Sequence, residues 1–323
     1  MASDQENFVV AFHPDTSINT VVSRYQQMGA LDVGRLPNLS QVLSLSVFVV
    51  AMPEGFPKER MALPGVVQVD SEVEHGFFLP MPGFDPLPSS LIQAAPLGRF
   101  DLTLGRLATL QEFLASGDFE AILTTIQARL AWAWNRGGGT TILIIDTGID
   151  GNRVPAHRRA GGWSDPSAPS DPWRDTFGHG TMCAMVAAAN RRYNGFDGVA
   201  PDAKIFSLKP ALGPSGGVLG TSVIKGLDYV LGLKLGPVVT NQSWGVFGCH
   251  SPLASCHVLA AQLVKALSRG AITVWAAGNN KGACGPDAEA SLWCMNSLPE
   301  AISVGALDRH LQPQFYSSPG PGQ

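Results

Sequence analysis

The sequence of 323 residues predicts an α/β protein, a doubly wound parallel sheet preceded by a small α+β unit of ferredoxin-like type. Three observations point there. From Thr140 onward, short apolar runs alternate with stretches whose apolar residues recur every three or four positions, the pattern of strands joined through crossover helices. The first 75 residues carry a pattern of their own: strand, helix, strand, helix, strand. Between the two, Pro80, Pro82, Pro86, Pro88 and Pro96 lie among glycines and serines and break both periodicities. The expected organisation is a compact unit over residues 1–75, a Pro/Gly-rich linker with a helical end over 76–117, and a large unit over 118–323.

In the first unit, Phe8 to Phe12 is a short apolar strand. Asp15, Thr16 and Ser17 offer side-chain oxygens for the free amides of a helix's first turn. That helix carries Val21, Val22, Tyr25 and Met28 on one face, and Gly29 closes it. Val42 to Met52 reads as a second strand region, Pro53 to Met61 as a short helix, and Val66 to Val73 as a last strand. After the prolines, helical spacing returns over 104–134 through Leu107, Leu110, Leu114, Ile122, Ile126, Leu130 and Trp134. Ile142 to Asp146 is a continuous apolar run, as a strand covered on both faces requires. An alanine-rich helix follows His179, then a strand at Lys204 to Leu208. Val223, Ile224, Leu227, Val230 and Leu231 form a helical stripe, Val238 to Ser243 a strand, and Leu259 to Leu267 a helix. Ala271 to Ala276 and Ala301 to Gly305 complete the alternation. A sheet of this kind binds its ligands at the carboxyl ends of its strands.

Composition excludes several classes of function. With 45% hydrophobic and 15% charged residues the chain can bury a large core, and disorder is excluded. A formal net charge of -4 without a basic cluster argues against nucleic acid or an anionic membrane surface as partner. The longest apolar stretch, Val42 to Met52, is far short of a membrane span. The first residues lack the basic and apolar regions of a secretory leader, so the chain is expected to be cytoplasmic, or secreted if a signal lies outside this sequence. Of the five cysteines, Cys183 falls in an apolar helix. Cys249, Cys256, Cys284 and Cys294 lie in loop-like stretches and make either two disulfides or four free thiols. No metal site and no cofactor are expected: the Cys249/Cys256 spacing is too long for a zinc knuckle, no acidic cluster suits calcium, and Gly137 to Gly139 precede a strand rather than open a helix that would cradle phosphate.

Three segments stand where the strand-end rule places a site. Ile144-Ile145-Asp146-Thr147-Gly148 is an apolar strand ending in a carboxylate. Gly178-His179-Gly180-Thr181 puts a histidine between glycines at the start of a helix, where backbone or ligand comes close. Val274-Trp275-Ala276-Ala277-Gly278-Asn279 ends a buried strand in small residues and an amide. Together with Ser243-Trp244-Gly245, Gly198-Val199-Ala200-Pro201 and Ala301-Ile302-Ser303-Val304-Gly305-Ala306, in this order, they resemble the subtilisin-like serine proteases, the subtilase family. The resemblance runs from about Ile126 to Pro319 and corresponds to roughly the first two thirds of a subtilase catalytic domain. The N-terminal unit, including Leu63-Pro64-Gly65-Val66-Val67-Gln68-Val69, looks like a subtilase propeptide of the inhibitor type.

The resemblance implies a serine endopeptidase precursor acting on peptide or protein substrates, held by its own propeptide. It implies His179 as general base and then acid, Asp146 as the carboxylate that orients the imidazole, and Asn279 as an amide donor to the oxyanion. Ser243, Trp244, Gly245, Ala277 and Gly278 would line the peptide groove, with Trp244 where the family commonly has leucine. The family's nucleophile lies in a late Gly-Thr-Ser-x-Ala motif. This sequence reaches Gln323 before such a motif, so it is expected to be a front piece of a subtilase with the serine outside it. Gly220-Thr221-Ser222 is expected to cap the helix that follows rather than react. The alternative function is a catalytically inactive fragment or pseudoprotease that binds peptides.

Overall fold

The computed structural model describes residues 5–71, 74–77, 117–166, 171–212, 218–245, 270–279, 298–308 and 310–318. The expectations for most of the proline-rich stretch, for the stripe at Leu107 to Leu114, for the helix at Leu259 to Leu267 and for Cys249, Cys256, Cys284 and Cys294 lie outside those residues.

The N-terminal unit runs β1 (Gln5–Phe12), α1 (Ile18–Gln27), β2 (Asp32–Arg35), α2 (Pro37–Leu43), β3 (Ser46–Pro53), a 3-10 turn at Lys58–Met61 and β4 (Val66–Ser71). Its four strands form an antiparallel sheet in the order β2-β3-β1-β4. The apolar run of β1 is continuous because both faces of the sheet are covered. Phe8, Val10 and Phe12 pack with Val21 and Tyr25 of α1, Phe48, Val50, Met52 and Met61. Val9 and Ala11 face the other way, into a cluster shared with the large unit. Burial pushes the Tyr25 hydroxyl pKa up, and the hydroxyl donates to the Met61 carbonyl at 2.8 Å. Within the stretch expected as a single strand, Val42 and Leu43 are helical and β3 starts at Ser46. Pro37, whose fixed φ suits a first helical turn, opens α2 there, and Ser44 in the left-handed region ends it.

A further strand, β5 (Glu74–Phe77), follows at a place expected to begin the linker. The large unit continues with α3 (Gly117–Thr125), α4 (Ala128–Ala131), β6 (Thr141–Ile145), 3-10 turns at Gly151–Arg153 and Ala156–Arg158, β7 (Arg159–Ser164), α5 (His179–Ala188), α6 (Arg191–Asn194) and β8 (Lys204–Lys209). It ends with β9 (Val218–Leu219), α7 (Gly220–Leu231), β10 (Val238–Gln242), β11 (Trp244–Gly245), β12 (Ala271–Ala276) and β13 (Ala301–Val304). Six of these strands form the expected parallel sheet, in the order β13-β12-β10-β6-β8-β7. Leu143, Ile145, Phe206 and Leu208 point to the side of α7 and the N-terminal unit, while Ile142, Ile144 and Ile205 point to the side of α3 and α5. Layers on both faces bury every residue of β6 and explain its apolar run.

Two expectations change. The stripe Ile122, Ile126, Leu130, Trp134 is solvent-facing, with Trp134 92% exposed, and Phe119 and Leu123 are the buried residues of α3. The helical run is interrupted at Gln127, whose φ of 58° separates α3 from α4, so the four positions do not form one continuous helical face. The edge strand β7 was not anticipated: its Arg-Ala-Gly-Gly-Trp-Ser sequence has no apolar run, and a Cβ at Gly161 would lie 2.8 Å from the Phe206 ring. Among the described residues, no helix is long and apolar enough to cross a membrane.

Candidate active site

Asp146 is the first residue past β6, and its N–H still donates to the Leu208 carbonyl at 3.0 Å, so the sheet fixes its backbone. His179 is the first residue of α5, set by Gly178 at φ 93°, a left-handed conformation that glycine adopts without strain. The two side chains meet beneath the surface, each residue only 1% exposed. His179 Nδ1 lies 2.7 Å from Asp146 Oδ1 and 2.9 Å from Oδ2, and Asp146 Oδ1 also accepts from Thr147 N–H at 2.8 Å. Burial by itself depresses the His179 pKa. The negative charge of Asp146, the neighbouring Cys183 and the hydrogen bonds outweigh it and hold the value well above that of an ordinary imidazole.

The two motifs are interlocked. Thr147 Oγ1 accepts from Gly180 N–H and donates to Asp175 Oδ1, each at 2.9 Å. Thr181 Oγ1 accepts from Asp150 N–H at 2.9 Å and donates to Asp175 Oδ2 at 2.6 Å. A Cβ on Gly180 would lie 2.2 Å from the Gly148 carbonyl oxygen and 3.0 Å from Asp146 Cβ, so the glycine after the histidine is a packing requirement. Asp175 and Cys183 were not anticipated. The signal for Cys183 was available: four positions after His179, it shares that residue's helix face, and its Sγ lies 4.0 Å from Nδ1.

The other anticipated residues sit at the same end of the sheet. Parallel pairing brings Gln242 and Ile145 level and Gln242 and Trp275 level. Ser243, Asp146 and Ala276 are therefore level at the carboxyl edge of the sheet, with Ala276 the last paired residue of β12, and Ala277, Gly278 and the half-buried Asn279 follow. Ala277 N–H donates to the Val304 carbonyl at 2.9 Å, and the Gly278 carbonyl accepts from Ser318 N–H at 2.9 Å. Trp244 packs edge-on against Trp275 at 5.3 Å between ring centroids. Beside them β5 is laid antiparallel between β11 and β9, with Phe77 opposite Trp244, Gly76 opposite Gly245 and His75 opposite Val218. The chain thus extends a strand of its own along the anticipated peptide groove.

Gly220-Thr221-Ser222 behaves differently from the cap expected of it. Leu219 occupies the cap position of α7, and the buried Ser222 hydroxyl instead accepts from Ala211 N–H at 2.7 Å. For a metal, the ligand atoms of Asp146, His179 and Cys183 lie within 4.8 Å of one another, the only such cluster of three among the described residues. A soft cation there would have to displace the Asp146 to His179 hydrogen bond, because both use Nδ1.

A buried imidazole, oriented through Nδ1 by a carboxylate at the carboxyl end of a parallel sheet and flanked by a short strand that pairs with β5, defines a class. It is that of α/β proteins with a carboxylate-oriented histidine at the strand ends of the sheet. The chain belongs to the subtilase family, peptidase S8, whose model matches residues 137–323. It is 31% identical over 204 residues to thermitase of Thermoactinomyces vulgaris, covering 60% of this chain and 64% of the relative. It is 30% identical over 191 residues to an intracellular serine protease of Paenibacillus polymyxa, covering 57% and 55%. To subtilisin E of Bacillus subtilis it is 30% identical over 184 residues, covering 57% and 45%. The chain thus spans about half the length of the curated relatives it matches.

Proposed function

We propose that this chain is the precursor of a serine endopeptidase, with an N-terminal inhibitory unit of propeptide type. The carrying observation is the combination of the Asp146 to His179 pair with a strand of the chain itself in the neighbouring groove. His179 takes the proton of a serine hydroxyl as it attacks a peptide carbonyl, then passes it to the departing amine. Asp146 fixes the tautomer and stabilises the imidazolium, a role that the raised His179 pKa supports. Asn279 donates to the oxyanion. Ser243, Trp244, Gly245, Ala277 and Gly278 hold the substrate by strand addition, in which main-chain hydrogen bonds give affinity and pockets give selectivity. The antiparallel order β2-β3-β1-β4 supports the ferredoxin-like reading of the N-terminal unit. The relatives' names, thermitase, serine protease and subtilisin, support peptide or protein substrates.

The serine on this reading comes from a Gly-Thr-Ser-x-Ala motif that these 323 residues do not supply. Ser222 is committed to Ala211, while Ser317 Oγ accepts from Ala306 N–H at 3.0 Å and Ser318 is buried to 1% exposure. A fluorophosphonate probe tests the proposal. The product of the full reading frame is expected to label and to cleave a peptide substrate, to lose both in a His179→Ala variant, and the 323-residue chain alone is expected to stay unlabelled. A full product that remains unlabelled while retaining peptide in the groove would instead establish the peptide-binding alternative.

A further inference from the structure

Asp175 touches both halves of the Asp146 to His179 arrangement without belonging to it. Its Oδ1 accepts from Thr147 Oγ1 at 2.9 Å, Phe177 N–H at 3.0 Å and Gly178 N–H at 2.8 Å. Its Oδ2 accepts from Thr181 N–H at 2.9 Å and from the Thr181 hydroxyl at 2.6 Å. All five partners are donors, so only a group that accepts at both ends satisfies them. Through Thr147, whose hydroxyl holds Gly180 N–H, the carboxylate reaches the segment that carries Asp146. Through Gly178, Thr181 and the first turn of α5, it reaches the segment that carries His179.

We propose that Asp175 is a positioning residue that sets the distance and angle between Asp146 and His179 by pinning the start of α5 to the segment after β6. The proposal rests on the reading of His179 as the general base and adds to it the group that holds that base in register. A cap that served only the helix would need contacts to α5 alone. The Thr147 hydroxyl belongs to the other motif: it accepts from Gly180 N–H in the first turn of α5 and donates to this carboxylate, so the pair spans both motifs. A conservative amide replacement is informative, because an asparagine presents an NH₂ to donors at one end and must break the links to either Thr147, Phe177 and Gly178 or to Thr181.

The test reads the hydrogen bond itself, without reference to turnover. In proton NMR of the 323-residue chain at about pH 6, where an ordinary imidazole is largely protonated, the His179 Nδ1 proton is expected far downfield. Asp175→Asn is expected to abolish or broaden that signal. Thr147→Val, which cuts the Thr147 links and leaves the other Asp175 contacts to α5, is expected to shift it upfield and decides the matter should Asp175→Asn fail to fold. Val186→Gly, a helix-weakening control on the exposed side of α5, is expected to lower the melting temperature and leave the signal unchanged. An unchanged signal in a folded Asp175→Asn protein, or in Thr147→Val, overturns the positioning role and leaves the paired base intact. Absence of the signal from the unmodified protein would overturn the paired base itself, and this proposal with it.

Discussion

At the scale of single residues, His179 ties the site to the stability of the fold. Its folded pKa lies well above its ordinary value, so the folded state holds the proton more tightly than the unfolded chain does. The resulting stabilisation is complete below the unfolded value of about 6.5 and is lost as the pH rises through the folded value. Thermal melts of the protein and of a His179→Gln variant, compared between about pH 6 and 10, should show the advantage of the native histidine shrinking with rising pH. A widening gap would contradict the direction assigned. Much of this was legible residue by residue, since Asp146, His179 and their glycines stand in short motifs. Asp175 was not, because an aspartate before a helix reads only as a local turn former until the fold places Thr147 against it.

At the scale of elements, the contact between α2 and α7 decides how the N-terminal unit is held. Asp228 of α7 reaches across, and its Oδ1 accepts from Leu39 N–H at 2.6 Å, an amide in the first turn of α2 that no residue of that helix satisfies. The Asp228 backbone carbonyl accepts from Asn38 Nδ2 at 3.0 Å. Burial raises the Asp228 pKa, and the hydrogen bonds from Leu39 and Asn38 oppose it only in part. Asp228→Ala should therefore cost about 1–2 kcal/mol in urea unfolding, for the lost cap. Asp228→Asn keeps an acceptor and removes a buried charge, and should lie within about 0.5 kcal/mol of the native protein or above it at neutral pH. Equal losses for the two variants would show that the charge, not the acceptor, holds the helix. The strand β5 is the other cross-unit element. Its Glu-His-Gly-Phe sequence has no period that marks a strand, and only the open edges of β9 and β11 make it one.

At the scale of the whole molecule, the two units share one core. Val9, Ala11, Leu36, Leu39, Val47 and Val49 of the N-terminal unit pack in the same cluster as Leu143, Phe206, Val223 and Leu227 of the large one. Leu39→Ala should cost about 2–5 kcal/mol, as deletion of a buried leucine side chain does. All seven tryptophans lie between Trp132 and Trp293, so tryptophan fluorescence reports on the large unit alone. The expected result is that this distant substitution shifts the tryptophan-detected transition. An unshifted transition would mean that the units unfold independently.

The sequence by itself determined most of the strand and helix alternation of the large unit among the described residues, the parallel sheet, the place of the candidate site at its carboxyl end and the neighbours of Asp146 and His179, because each is written in local periodicity or in a run of a few neighbours. Only the tertiary structure decided that the Phe8 to Phe12 strand is covered on both faces, that the Ile122 to Trp134 stripe faces solvent, that residues 74–77 form a strand, and that Asp175 spans the two motifs. Burial, edge pairing and hydrogen bonds between distant segments depend on which surfaces meet, and no spacing along the chain encodes that.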